Sequence, residues 1–182
     1  TNAGGNCVYI MPEINSLEVT GCTFNGKSTG GNQYLIWPSH AKTITITNNT
    51  FTGSDYVRSP IHLGDGHSEG TTAVVSGNTI YDFERGVQIA FTNGQTNGVT
   101  IEDNEFKDIG IKDWSACQPS EVATVFIHES LKEGTTIDFI GNRLTEGSDR
   151  MFCSEHQTLT AEDVVNAATF SGNTINGEEV KT

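Results

Sequence analysis

Apolar residues recur along the chain in a spaced pattern built around one asparagine. Ser76-Gly77-Asn78-Thr79-Ile80 returns letter for letter at 171–175. Looser copies are Thr20-Gly21-Cys22-Thr23-Phe24, Thr47-Asn48-Asn49-Thr50-Phe51, Glu102-Asp103-Asn104-Glu105-Phe106 and Ile140-Gly141-Asn142-Arg143-Leu144. The six copies therefore hold a column of Cys22, Asn49, Asn78, Asn104, Asn142 and Asn173. Two residues after it stand Phe24, Phe51, Ile80, Phe106, Leu144 and Ile175; three before it, Val19, Ile46, Val75, Ile101, Phe139 and Phe170; five before it, Leu17, Ile44, Ala73, Val99, Ile137 and Ala168. Apolar residues two apart, with mostly polar ones such as Glu18, Thr45, Thr100 and Asp138 between them, mark a strand with one buried face. Each copy predicts a short strand running into a sharp turn.

The column spacings of 27, 29, 26, 38 and 31 residues give room for one coil of several short strands, with loops of unequal size on a constant frame. A second strand is predicted at Pro60-Ile61-His62-Leu63, Gly86-Val87-Gln88-Ile89, Thr124-Val125-Phe126-Ile127 and Arg150-Met151-Phe152-Cys153. Tyr34 to Trp37 fills that slot in the first coil, and Cys7 to Ile10 reads as the tail of a coil before it. Asparagine carries both a donor and an acceptor and tolerates tight turns. Stacked on its equivalents one repeat away, it would form a buried ladder, and the Gly or Asp before it suits a bend. Two strands and an asparagine corner per coil predict a solenoid, with parallel sheets around a dry core.

These repeats, over residues 7–180, resemble the degenerate x-G-N-x-[apolar] repeats of the right-handed parallel β-helix superfamily, the pectin-lyase-like fold with its NosD-like members. The resemblance implies an all-β, right-handed parallel β-helix of about six coils. The superfamily includes secreted and surface proteins, polysaccharide lyases and phage tailspikes, so function stays open among adhesion, cleavage and spacing.

The 182 residues fit one domain, 1–182. Its first residues begin in mid-coil and open end coils need caps, so the expectation is a segment of a larger protein. Apolar residues make up 35%, enough for a narrow core. No apolar run reaches membrane-spanning length, and no signal-peptide pattern opens the chain. The net charge of −13 repels phosphate backbones and argues against a nucleic-acid partner. It is compatible with plain solubility, with cation binding, or with neutral or basic ligands. Four cysteines show no metal-ligand spacing. Cys22 in the asparagine column and Cys153 in an inward slot read as buried small residues, leaving Cys7 and Cys117 unassigned.

Candidate chemistry lies in the loops. The longer ones, 52–60 and 107–123, hold Tyr56, Arg58, Lys112, Asp113 and Trp114. Tyr56, Arg58 and Trp114 would make a sugar-stacking platform, ring face against sugar C–H face; the plainer alternative has Trp114 folding back over the solenoid. The opposite corner gathers Asp65, His67 and Glu69, then His128 and Glu129, then Glu155 and His156, with His40 in the first coil. Asp65, Phe91, Glu129 and Glu155 share one column there, which puts Glu129 and Glu155 about 4.8 Å apart. Like charges that close raise one pKa or recruit a cation, calcium or a transition metal; acid/base work on a glycan and plain solvated charges are the other readings. No cofactor is otherwise implied.

The resemblance also raises the lyase pattern, calcium held by acidic residues plus a basic residue that abstracts a proton, for which Arg58, Arg85 and Arg150 are the arginines to consider. No acidic cluster accompanies them on their corner. The expected function is a non-catalytic module of a secreted or cell-surface protein that is adhesive, glycan-contacting or a spacer. Its partner would be a carbohydrate or host-surface ligand, without membrane insertion. The alternatives are a lyase or glycosidase fragment acting on a uronic polysaccharide, and a tailspike-like receptor-binding segment.

Overall fold

The computed structural model describes residues 7–11, 13–26, 33–53, 57–64, 70–90, 98–110, 123–127, 136–147, 151–154 and 168–180. Regular structure among them is strand alone. One sheet, A, contains β1 (Val8–Ile10), β4 (Gln33–Pro38), β7 (Val57–Leu63), β10 (Arg85–Ile89), β13 (Ala123–Ile127) and β16 (Phe152–Ser154). Sheet B contains β2 (Ile14–Thr20), β5 (Ala41–Thr47), β8 (Thr72–Ser76), β11 (Gly98–Glu102), β14 (Thr136–Ile140) and β17 (Ala168–Ser171). Sheet C contains β3 (Thr23–Asn25), β6 (Thr50–Thr52), β9 (Thr79–Tyr81), β12 (Glu105–Ile109), β15 (Arg143–Gly147), β18 (Thr174–Ile175) and β19 (Glu178–Glu179).

Apart from β19, every third strand in chain order pairs with the next in parallel, so the chain winds A to B to C and back. This is a parallel β-solenoid. About four turns, β4 to β15, have a coil on either side among the described residues, against the about six that the motif count predicts. Each coil also has three strands where the sequence predicts two. The residue two places after the asparagine belongs to a separate sheet, because the turn swings the chain before that side chain points inward again.

The three apolar columns stack in register. Val19 pairs with Ile46, Ile46 with Val75, Val75 with Ile101, Ile101 with Phe139 and Phe139 with Phe170. Phe24, Phe51, Ile80, Phe106, Leu144 and Ile175 form the matching column in sheet C. The columns meet in one continuous core, in which the Phe24 and Phe51 rings stack with centroids 4.9 Å apart.

The turn between sheets B and C has one backbone solution in all six coils. The residue before the column, Gly21, Asn48, Gly77, Asp103, Gly141 or Gly172, is left-handed, with φ between 53° and 65°. Gly, Asn and Asp are the residues that tolerate this region. Stacking adds a second constraint: a methyl group on Gly77 would sit 2.7 Å from Asn48 Oδ1, and one on Gly141 would strike Asp103 Oδ1. A coil whose turn carries Asn or Asp is therefore followed by one that carries glycine.

The buried asparagines form a directional ladder. Asn49 donates from its backbone N–H (2.9 Å) and Nδ2 (3.0 Å) to Asn78 Oδ1. Asn78 donates likewise to Asn104, Asn104 to Asn142 and Asn142 to Asn173. The second Nδ2 hydrogen goes back one coil, to the carbonyls of Val19, Ile46, Val75, Ile101 and Phe139, at 2.7–2.9 Å. The carboxamides of Asn78, Asn104 and Asn142 thus make four hydrogen bonds each, their full complement.

Cys22 keeps the column position, since its N–H donates to Asn49 Oδ1 at 2.9 Å, but it is exposed, not buried as its alignment predicts. No coil precedes it among the described residues. Cys7 is also exposed. At the other end Asn176 and Gly177, with φ of 49° and 85°, turn the chain back so that β19 pairs antiparallel with β18. Positive φ at both central residues is the two-residue hairpin preferred by Asn-Gly.

Candidate functional site

The outer face of sheet A is where this solenoid departs from a plain repeat. Ile36, Ile61, Val87 and Val125 form one inward column. Alternation breaks just before it. Leu35 lies in the core beside Ile36, and a methyl group on Gly86 would come within 2.7 Å of the core ring of Phe106, so two successive positions face inward. The residues on either side of this pair consequently face out together, and β4 and β7 shift register between Gln33 and Tyr34.

Two outer columns result. In the first, Tyr34 pairs with Ser59 and Arg85 with Ala123; Ser59 and Arg85 each stand two residues before the paired Ile61 and Val87. In the second, Tyr9 pairs with Trp37, His62 with Gln88 and Gln88 with Phe126. Their side chains touch. The Tyr9 and Trp37 rings lie 4.7 Å apart at 37°, Tyr34 and His62 4.1 Å apart, and Trp37 and His62 5.1 Å apart. Arg85 donates to Gln88 Oε1 at 2.9 Å, and its guanidinium carbon lies 3.4 Å from the centre of the Phe126 ring.

Burial grades along this face. His62, Arg85, Gln88 and Phe126 are buried, Trp37 is half-buried, and Tyr9 is 44% exposed with Met11, just past β1, at 57%. A cation stacked on a ring in a dry setting is stabilised by roughly 2 kcal/mol, so Arg85 is held in the structure and not offered to a solvent ligand. The open part of the face is the Tyr9 and Trp37 pair. Trp37 Nε1 donates to the Gly64 carbonyl at 3.1 Å, which fixes the indole between Tyr9, Tyr34 and His62.

Of the sequence-predicted site residues, Arg58 is described: it lies half-buried in β7, next to Ser59. Tyr56, Asp65, His67, Trp114, His128, Glu129, Glu155 and His156 lie outside the described residues, as do Cys117, Arg150 and Phe91. The column proposed for Glu129 and Glu155 rested on aligning Cys153 with Ile127. Ile127 in fact pairs with Ser154, and Phe126 with Cys153. β16 is thus slipped by one residue against the predicted alignment, and Cys153 takes the register position opposite Phe126, not the one opposite Ile127. Because side chains alternate faces, a one-residue slip reverses every position of a strand. His40 lies in the turn between β4 and β5, its Nδ1 hydrogen-bonded with Ser39 Oγ. Among the described residues no group of three His, Cys, Asp or Glu could hold a metal ion, and no helix is long and apolar enough to cross a membrane.

The aromatic face is the part that sequence reasoning overlooked. Its signal was present in the predicted second strand, where His62, Gln88 and Phe126 occupy one slot between inward residues. Comparison with family models, with curated proteins and with solved structures finds no match.

Proposed function

We propose that the chain is a non-catalytic, carbohydrate-contacting module of a secreted or cell-surface protein, built on the pectin-lyase-like variety of parallel β-helix. The observation that carries this reading is the Tyr9 and Trp37 pair at the open end of sheet A, with the indole pinned by its N–H. A fixed aromatic face beside a second tilted ring suits the C–H face of a pyranose. The net charge of −13 disfavours polyanions at a distance, so the ligand is a neutral glycan before a uronan. The asparagine ladder supports the superfamily assignment and the secreted setting that goes with it.

The test is isothermal titration of the protein against neutral and uronic oligosaccharides, with and without calcium, with product analysis alongside. Saturable binding of a neutral glycan that weakens at least tenfold in Trp37→Ala, with no new reducing or unsaturated ends, is expected. New ends would replace this reading with the lyase or glycosidase alternative. Binding that ignores Trp37→Ala and Tyr9→Ala would move the site elsewhere.

A further inference from the structure

Asn176 and Gly177, the loop between β18 and β19, carry a chemistry that the turn itself does not use. A backbone amide nitrogen can attack the side-chain carbonyl of the asparagine before it, and glycine, with no Cβ, leaves that path open. The sequence holds four Asn-Gly pairs, at 25–26, 93–94, 97–98 and 176–177; Asn93 and Asn97 lie outside the described residues. The fold treats the other two pairs oppositely.

Asn25 ends β3, where it pairs with Thr52, and the buried Gly26 donates its N–H to the Thr52 carbonyl at 2.7 Å. The nitrogen that would attack is clamped in the ladder. Asn176 and Gly177 are both exposed. The Gly177 N–H meets no acceptor among the described residues, and a Cβ built on that glycine would find nothing within 4 Å, so water and base have room to reach it. The loop is closed by β19, a strand of 2 residues, and by the Val180 N–H on the Asn173 carbonyl at 2.9 Å. Hairpins that short open readily.

We propose that Asn176 is a site of spontaneous deamidation, and that one of its two products releases β19. The Gly177 nitrogen gives its proton to base and bonds to Asn176 Cγ; the Cγ–Nδ2 bond breaks, and the side-chain nitrogen takes a proton from water and leaves as ammonia. Water then opens the five-membered succinimide. Opening at Cγ gives aspartate, and opening at the backbone carbonyl gives isoaspartate, whose chain runs on through Cγ. Aspartate keeps the hairpin, since Asp82, Asp103 and Asp108 already hold φ of 69°, 53° and 52° in this chain. Isoaspartate adds a backbone atom to a loop whose length sets the register, so Ile175 and Glu178 no longer face each other.

The full chain is incubated at neutral and mildly alkaline pH, in buffer and in urea, and each asparagine is followed by peptide mass spectrometry. In buffer Asn176 should convert at least about tenfold faster than Asn25, which must first be freed from its strand, and faster still at the higher pH. In urea the two rates should converge. Amide hydrogen exchange of the separated products gives the second readout: the Val180 amide should exchange faster in the isoaspartyl form and stay protected in Asn176→Asp. An Asn176 that converts no faster than Asn25 in buffer, a difference that persists in urea, conversion indifferent to pH, or a Val180 amide that behaves alike in the isoaspartyl form and Asn176→Asp would each overturn the proposal.

Discussion

Asn78 ties its coil to both neighbours at once: its Oδ1 receives Asn49 and its Nδ2 reaches the Ile46 carbonyl in the coil before, and its two remaining donors converge on Asn104 in the coil after. Replacing it with alanine removes one carboxamide but strands two buried donors on Asn49 and leaves the Ile46 carbonyl short of one. At roughly 1–3 kcal/mol for each buried group left unsatisfied, Asn78→Ala should lose about 3–5 kcal/mol, measured by urea unfolding. A loss under about 1 kcal/mol would mean that water replaces the ladder without penalty. This much was legible in the letters, because a ladder needs one residue type at one position and the repeat shows it. The restriction before it was also legible, since Gly, Asn and Asp are what a left-handed backbone admits. The exposure of Cys22 was not, since the repeat specifies the column and says nothing about what lies over its first member.

At the scale of the strand, sheet C separates its two faces cleanly. Phe106 and Leu144 are paired and buried on the inner side of β12 and β15, while Glu105 and Arg143, one residue earlier, form an exposed ion pair at 3.7 Å on the outer side. Phe106→Ala should cost about 3–5 kcal/mol through lost burial and the cavity left behind. Arg143→Ala should cost about 0.5 kcal/mol or less, because an exposed pair gains little over its hydration. Paired chemical-denaturation curves check the contrast, and equal costs would mean that the core column is not what holds these strands together. Sheets B and C were readable because one face is wet and alternation survives. Sheet A was harder: both faces are buried over much of its length, Leu35 and Gly86 break the alternation, and apolar letters alone do not say which side they serve. The slipped register of β16 has the same origin, since Met151, Phe152 and Cys153 offer no polar residue to mark the outer face.

For the whole molecule, the repeat constrains what stacks and leaves the rest free. That is why the solenoid was legible while the loop residues proposed for ligand contact could be named but not placed: loops of unequal length carry no register. The same stacking logic governs charge. With 23 acidic and 10 basic residues, like charges could have met on neighbouring rungs. At most acidic rungs of the described strands they do not: Glu18 pairs with Thr45, Glu102 with Ser76 and Ile140, Asp138 with Thr100 and Thr169, and Glu105 with Thr79 and Arg143, while between β12 and β15 the register sets Asp108 opposite Glu146. Contact repulsion within the sheets is thus limited, and the larger part of the self-repulsion is the long-range field of a net charge of −13. That field is the component salt removes, as the screening length falls from about 30 Å at 0.01 M to about 3 Å at 1 M. Relief on the order of 1 kcal/mol corresponds to about 2–4 °C for a chain of this size. The melting temperature should therefore rise by that amount between 0.01 and 0.5 M sodium chloride, followed by circular dichroism. A fall would show that attractive pairs, and not self-repulsion, dominate the surface.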